Sequence, residues 1–197
     1  MSAAVLAWIA RAISGARVRY SAAIPDASPR VYFANHSSHL DFLVIWSSLP
    51  PAVRAVTRPV AAADYWSRGR LRQHLAGRVF RAVLVARGGG DPRAAVEACA
   101  AALADGDGLI LFPEGTRGDG ELVAPFKSGL YHLCRARPDA ICVPVHLENL
   151  NRVLPKGEAM PVPLLSRVTF GASMQLEPDE SKHAFLERAH AAVVALA

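Results

Sequence analysis

The chain has 197 residues, 52% of them hydrophobic and 20% charged, which indicates one globular domain with a sizeable core and excludes intrinsic disorder. No stretch approaches the roughly 18 uncharged apolar residues that a membrane-spanning helix needs. The positive charge is concentrated from Arg54 to Arg93, a segment that contains nine arginines and only two aspartates. That segment predicts an anionic partner, such as a phosphate group or an anionic membrane surface. No nucleic-acid partner is expected, because no helix-turn-helix, zinc or RNP-type pattern is present.

Residues 2–13 predict a short helix, since apolar side chains recur there at helical spacing, namely Val5, Trp8, Ile9, Ala12 and Ile13. Trp8 with arginines close behind suits a helix lying in a membrane interface. The same stripe suits packing on the protein's own core, and both interpretations stay open. We assign residues 1–20 to this helix and its lead-in, and residues 21–197 to one domain. No secretory signal is expected, because the apolar N-terminus is short and runs directly into arginines.

A polar loop separates two apolar runs early in the chain. Residues 31–34 have the length and composition of a strand, and residues 42–46 can continue a helix. The loop between them is Asn35-His36-Ser37-Ser38-His39-Leu40-Asp41. A helix that begins near Ser38 places Asp41 in its first turn, where the carboxylate can fold back onto His36. A carboxylate on one ring nitrogen raises the basicity of the other, which makes His36 a candidate general base.

The same loop has a purely structural interpretation. Ser38 with an acid three positions later fits a capping pattern for a helix start. Asp41 would then be a cap and His36 a polar loop residue. Such patterns are common, so this loop alone does not decide between capping and catalysis.

The following segment is punctuated by prolines and rich in arginine. The helix after Asp41 should end by Pro50-Pro51, because neither proline continues it cheaply. Residues 52–57 predict a short strand, and residues 59–66 predict a helix start with exposed Tyr65 and Trp66. Residues 67–81 predict a basic helix or a loop over the site.

A strand–helix–strand pattern comes next. Residues 81–87 predict a strand that ends in Arg87, and residues 92–104 predict a helix with Asp91 as its N-cap. Residues 109–112 are fully apolar, as expected of a central strand in a parallel sheet. The alternation predicts an α/β domain with a mixed, largely parallel sheet flanked by helices.

A second polar motif begins at the end of that central strand, and it consists of Phe112-Pro113-Glu114-Gly115-Thr116-Arg117. Open α/β sheets bind ligands at the carboxyl ends of their strands. An acid, a glycine, a hydroxyl and an arginine there suit a phosphorylated alcohol, since arginine can clamp phosphate oxygens. Lys127 supplies a further cation or lies at the surface. The alternative is a plain turn in which Arg117 only pairs with Glu114.

The remaining chain predicts two more helices and two more strands. The helices are expected at residues 130–137 and 179–197, and the strands at residues 140–147 and 167–172, with a loop over residues 148–163.

Four segments, in order, resemble the glycerolipid acyltransferases typified by 1-acylglycerol-3-phosphate acyltransferase. The family's His-x4-Asp block, preceded by Asn, corresponds to residues 35–41, and its Phe-Pro-Glu-Gly-Thr-Arg block is complete at residues 112–117. Its strand ending in Arg is matched loosely at residues 83–87, and its apolar strand with Pro at residues 143–145. Residues 126–129 also resemble the family's segment between the last two blocks. The resemblance implies a glycerol-3-phosphate acyltransferase-like, single-domain fold.

The resemblance also implies a mechanism. His36, oriented by Asp41, would act as general base on a free hydroxyl of a lysophospholipid, foremost 1-acylglycerol-3-phosphate. The oxygen would attack the carbonyl of an acyl thioester, either acyl-CoA or acyl carrier protein, without a cofactor or a metal. We assign the acceptor's glycerol phosphate to Arg87, Glu114, Thr116 and Arg117, with Gly115 and Lys127 beside them.

Two other functions stay open. The same His–Asp pair can activate water, as in a thioesterase or lysolipid hydrolase, although no Gly-x-Ser-x-Gly elbow is present. The other hypothesis is a membrane-surface protein that has this fold and no catalytic activity. The loose second block leaves the acceptor's head group undecided. The short segment before His36 predicts peripheral attachment to the inner face of the membrane, and Cys99, Cys134 and Cys142, without Cys-x-x-Cys spacing, predict reduced thiols in the cytoplasm.

Overall fold

The computed structural model describes residues 3–22, 29–86, 91–153 and 165–197. The strands are β1 (Arg17–Tyr20), β2 (Arg30–Ala34), β3 (Thr57–Ala62), β4 (Val83–Val85), β5 (Gly108–Leu111), β6 (Ile141–Glu148) and β7 (Arg167–Phe170). The helices are α1 (Ala3–Ser14), α2 (Asp41–Ser48), α3 (Pro51–Ala55), α4 (Ala63–Trp66), α5 (Arg70–His74), α6 (Pro92–Ala104), α7 (Gly129–Ala136), α8 (Leu150–Val153) and α9 (Lys182–Val194), with a π-helical turn at Leu75–Val79.

The strands described form one sheet in the order β1-β7-β6-β2-β5-β3-β4. Every neighbouring pair is parallel except β6 and β7. All residues of β2 are buried, because β2 lies in the middle of the sheet with helices on both faces. The predicted α/β fold with a largely parallel sheet is confirmed, and β2 is the strand that leads into the first polar motif.

Helices form a layer on each face of the sheet. Tyr32 of β2 enters one core together with α1, α2 and Phe80. Phe33, the next residue, enters the other core together with α6, α7 and α9. This division follows from the strand geometry, since successive side chains point to opposite faces.

Helix α1 packs on the core with a different face from the one that the sequence pattern predicts. Leu6, Ala7 and Ala10 are buried, whereas Val5 is 48% and Trp8 71% exposed. The helix therefore packs on the protein while leaving much of its predicted apolar stripe at the surface. The following strand β1 pairs with β7 at the edge of the sheet, and the domain division after residue 20 stays a prediction.

Two predictions between α2 and β4 are wrong. Residues 52–57 are not a strand, because the fixed φ of Pro51 suits the first position of a helix and α3 begins there. Strand β3 starts only at Thr57. Tyr65 and Trp66 are half-buried rather than exposed, since Trp66 packs edge-on against other aromatic rings and Tyr65 stacks on His39.

The later elements follow the sequence predictions closely. Helix α6 has the predicted bounds, and the Asp91 side chain accepts the backbone N–H of Arg93 as its N-cap. Helix α8 interrupts the predicted loop, whose residues 154–163 lie outside the described ranges. Arg87 lies outside them too. The three cysteines are free and buried, and burial raises the pKa of Cys99 to about 11.

Candidate active site

The two polar motifs meet at the carboxyl edge of the sheet. Strand β2 ends at Ala34, directly before the first motif, and β5 ends at Leu111, directly before the second. The two strands are parallel neighbours, with Phe33 paired to Leu111. Segments far apart in sequence are thereby side by side, at the edge where open α/β sheets bind ligands.

His36 and Asp41 form a hydrogen-bonded pair, with 2.7 Å between Nδ1 and Oδ2. The Asp41 side chain is fully buried, whereas that of His36 is 23% exposed. The same Oδ2 accepts the backbone N–H groups of Ser37 and Ser38, at 2.7 and 2.8 Å. Helix α2 begins at Asp41 itself rather than near Ser38. The carboxylate thus caps the loop and orients the imidazole at once, and with Nδ1 donating to it, Nε2 is left as the basic nitrogen.

The second motif holds the backbone of His36 from both sides. One carboxylate oxygen of Glu114 accepts the N–H of His36 at 2.6 Å, and the other accepts the N–H of Ala124 at 3.0 Å. The N–H of Gly118 donates to the carbonyl oxygen of His36 at 2.8 Å. Glu114 is 4% exposed, and burial raises the pKa of its carboxyl above the ordinary value although both N–H groups lower it. Its predicted contact with the acceptor stays a prediction, since these two partners are backbone groups.

Three consecutive N–H groups of the first motif are therefore already bound by carboxylates. Glu114 takes the one of His36, and Asp41 takes those of Ser37 and Ser38. These amides rigidify the loop, but they are not free to bind an oxyanion that forms on a substrate.

The other predicted residues of the second motif lie around Gly115. Its φ of +73° is in the left-handed region that favours glycine, and Nζ of Lys127 lies 2.7 Å from where a Cβ would stand. Arg117 lines the same cleft as His36, and Thr116 is exposed. The structure therefore brings Gly115, Arg117 and Lys127 together, while Arg87 follows the end of β4 outside the described residues.

A cleft of about 320 Å³ opens beside His36. It exists because β3 changes partner, pairing with β5 over Thr57–Pro59 and with β4 over Val60–Ala62. The strands splay apart beyond Pro59, and two small side chains, Ala61 and Ala62, leave the gap open. The apolar lining residues are Phe42, Pro59, Val60, Ala61, Ala62, Trp66, Val85, Leu111 and Phe112. The polar side chains of the lining are those of His36, His39, Tyr65 and Arg117.

Aromatic stacking orients both histidines of the first motif. The His36 ring stacks on Phe112, with ring centroids 4.2 Å apart and an interplanar angle of 17°. The His39 ring stacks on Tyr65 at 5.4 Å, and the guanidinium carbon of Arg72 lies 4.4 Å from the centre of the Tyr65 ring. Burial and the charge of Arg117 lower the pKa of His39 below its ordinary value of 6.5. His39 is therefore neutral at pH 7, with one ring N–H to donate.

Two asparagines support the site, and sequence reasoning assigned neither to it. The amide of Asn35 donates to the carbonyl of Leu147 at 2.9 Å and accepts its N–H at 2.8 Å, which joins the end of β2 to β6. Asn151 of α8 donates to the carbonyl of Asp119 at 2.7 Å, next to Gly118. The sequence could have identified Asn35, because it precedes the His-x4-Asp block. It could not have identified Asn151, because the partner of Asn151 is a distant backbone carbonyl.

Across the described ranges, no group of three or more His, Cys, Asp or Glu side chains is placed to hold a metal ion. No helix there has the length and apolar character needed to cross a bilayer.

A solved structure and a protein family are similar to this chain. A crystal structure of the 1-acyl-sn-glycerophosphate (LPA) acyltransferase, PlsC, from Thermotoga maritima has a similar fold, with a TM-score of 0.73 and 18% sequence identity. The match covers 98% of this chain and 78% of that one. No curated protein sequence matches. The Acyltransferase family profile matches residues 15–148, well over half of the chain, and the protein belongs to that family.

Proposed function

We propose that this acyltransferase moves an acyl chain from an acyl thioester to the free hydroxyl of a lysophospholipid, foremost 1-acylglycerol-3-phosphate, which gives phosphatidate. One observation carries the proposal: the His36–Asp41 pair lies on the wall of an apolar cleft that also presents Arg117. The fold similarity to an enzyme that acts on 1-acyl-sn-glycerophosphate is consistent with this acceptor.

His36 is the general base of the proposed reaction. Its Nε2 takes the proton of the acceptor hydroxyl while Asp41 stabilises the imidazolium that forms. The oxygen attacks the thioester carbonyl and forms a tetrahedral oxyanion. When the carbon–sulfur bond breaks, the proton on His36 passes to the departing thiolate. The products are an ester and a free thiol, and His36 is neutral again.

The oxyanion needs donors other than the amides of the first motif, because those amides are bound to carboxylates. Arg117 and neutral His39 both line the cleft and carry N–H donors. We assign oxyanion stabilisation to His39, which leaves Arg117 to bind the acceptor's phosphate group.

The acceptor's phosphate group is assigned to the cations beside the cleft. Arg117 lines it, and Lys127 adjoins it through Gly115. No carboxylate lines the cleft among the residues that the structure describes. This charge distribution favours a phosphate monoester over a head group that carries an amine. Thr116 and Arg87 remain proposed acceptor-binding residues by family match. Glu114 matches the family as well, but its bonds to the N–H groups of His36 and Ala124 favour a positioning role.

The cleft between the splayed strands is the proposed site of an acyl chain. Most of its lining is aliphatic or aromatic, and it includes the small side chains of Ala61 and Ala62. Ala61→Leu fills this space, so each methylene of the chain that no longer fits costs about fourfold in binding. We expect a shift toward shorter acyl donors, whereas Ala52→Leu on the exposed face of α3 should leave the preference unchanged. An unchanged preference among chain lengths in the Ala61→Leu variant would show that the acyl chain binds elsewhere.

Contact with an anionic membrane from the cytoplasmic side is part of this proposal. The acceptor is a lipid, the net charge is +5, and α1 leaves Val5 and Trp8 at the surface. Peripheral attachment through that stripe accounts for an apolar face that the protein does not bury.

A transfer assay tests the proposed function. Purified protein receives acyl-CoA or acyl carrier protein as donor, and a panel of lysophospholipids with and without substituted phosphates as acceptors. We expect an ester product with the unsubstituted phosphate and a fall of about 10² to 10⁴ in kcat for His36→Ala. His132→Ala, at an exposed histidine of α7, is the matched control.

The products distinguish the alternatives. Free fatty acid whose release does not depend on an acceptor would identify a thioesterase or lysolipid hydrolase. Lipid binding without turnover would identify a membrane-surface protein. Full transfer activity in His36→Ala would refute the assignment of the general base.

A further inference from the structure

Helix α5 has no buried residue of its own, and the π-helical turn Leu75–Val79 that continues it packs on the core. All of its residues are exposed, as are Arg68 and Gly69 before it, and Leu71 is 72% exposed. Because that turn holds the segment in place, the exposed side chains of α5 are not needed to stabilise the fold. We call residues 68–72 the rim segment.

The charge of the rim segment is unbalanced. It carries Arg68, Arg70 and Arg72, and no acidic residue occurs in the sequence from Tyr65 to Gly90. Within the described part of the chain, none of these three arginines takes part in an ion pair; Arg72 lies over the Tyr65 ring instead. Arginines that form no ion pair there and contribute nothing to the core indicate an anionic partner outside the chain.

The rim segment lies at the active-site cleft. Arg72 packs on Tyr65, which lines the cleft and stacks on His39. Trp66 and Phe80, which bracket the segment in sequence, pack against each other with ring centroids 6.3 Å apart. A partner bound to the rim segment would therefore sit beside the opening through which substrates reach His36.

We propose that the rim segment binds an anionic lipid surface and seats the cleft on the membrane. This inference rests on the proposed function, in which the acceptor is a lipid. Contact between the rim segment and the membrane lets that lipid enter the cleft without crossing water. The exposed Leu71 between two arginines favours a lipid surface over the phosphates of a soluble donor. An apolar side chain among cations suits the boundary between head groups and acyl chains, whereas it gains nothing from a dissolved phosphate.

The expected effects follow from the number of charges. An arginine near an anionic membrane surface contributes about fivefold to partitioning, so the double variant R68Q/R70Q should bind about 25-fold more weakly. Leu71→Ser should weaken binding by up to about tenfold. The arginine effect should appear only with anionic lipid and should shrink as salt rises, because it is electrostatic.

Co-sedimentation with vesicles measures this binding. One vesicle population is phosphatidylcholine alone, and the other contains phosphatidylglycerol as well. R93Q/R135Q removes the same charge from exposed positions on α6 and α7, in the opposite helical layer. Val194→Ser is the control for Leu71→Ser, since Val194 is 45% exposed on α9. Thermal melting verifies the fold, and it should not move because none of these side chains is buried.

Turnover on two substrate sets separates this inference from the proposed function. With short-chain, water-soluble donor and acceptor, R68Q/R70Q should match the unmutated protein, and with vesicle-borne acceptor it should be slower. Normal vesicle binding in R68Q/R70Q overturns the inference, and a raised KM for the soluble donor would then assign the arginines to the donor's phosphates. Equal losses in R93Q/R135Q would overturn it too, by showing unspecific charge attraction. Absence of transfer in the unmutated protein would defeat the proposed function, while the vesicle measurement would still decide the surface.

Discussion

Replacing Glu114 with Gln separates two roles that this side chain could have. If Glu114 binds the acceptor, the variant should raise KM and leave kcat nearly intact. If its main role is to hold His36 through the backbone, kcat should fall while KM changes little. The second outcome is expected, because the carboxylate oxygens already accept the N–H groups of His36 and Ala124.

The size of the effect follows from these two hydrogen bonds. Glutamine keeps only one accepting oxygen, so one of the two N–H groups loses its bond to a charged group. Such a bond contributes about 1.5–3 kcal/mol, and leaving the N–H unsatisfied costs about 1–3 kcal/mol. The neutral amide avoids part of the cost of burying a charge, the cost that raises the pKa of Glu114. A net loss of about 2–3 kcal/mol remains. For a domain of this size the melting temperature should fall by about 4–12 °C.

Steady-state kinetics at a temperature well below melting give the decisive measurement. A displacement of His36 by about 1 Å should lower kcat about 100-fold. Glu121→Gln, at an exposed position of the same loop, is the matched control. A Glu114→Gln variant with an unchanged kcat and an unchanged melting temperature would refute the assigned role of these backbone contacts.

Three further predictions concern the surroundings of the site. Asn151→Leu removes the donor to Asp119, so we expect a lower kcat with little change in KM, whereas Arg152→Ala on the same helix should have no effect; equal kcat in both would contradict this. Gly120→Ala forces φ of +86° on a residue with a Cβ that would lie 2.6 Å from the Asn151 amide, so unfolding should be easier by at least about 1–2 kcal/mol, as measured by denaturant titration. Burial lowers the pKa of His146 below its ordinary 6.5, so the unfolded chain binds the proton first and stability falls as pH drops below that value. In His146→Gln the melting temperature should therefore depend less on pH between pH 7 and 5. An unchanged slope of melting temperature against pH would show that His146 does not cause this dependence.

Features that depend on local sequence are the ones that sequence reasoning predicted well. Strand β5 and helix α6 were expected because a continuous apolar run and an Asp-Pro start signal are local patterns. The pairing of His36 with Asp41 also spans a single turn, so loop geometry alone suggested it.

Features that depend on distant contacts were missed or only partly foreseen. The cleft arises where β3 stops pairing with β5 and begins to pair with β4, and no residue of β3 predicts that change of partner. The bond between Glu114 and the backbone of His36 joins two motifs through a group that every residue carries. Helix α1 packs on α2, a contact between separate elements, with Leu6 buried and Trp8 exposed.

The central position of β2 has a consequence for biosynthesis. Both of its neighbours, β5 and β6, are made later, and so are Glu114, Gly118 and Leu147, which fix the His36 loop. At about 5–20 residues per second, a ribosome leaves the buried faces of β2 unpaired for roughly 5–20 s after His36 has been made. During that interval the nascent chain exposes a strand that is completely buried in the folded protein, and such a segment can aggregate or bind chaperones. A chain that stopped before β6 would carry the whole His–Asp pair and yet lack the means to hold it in place.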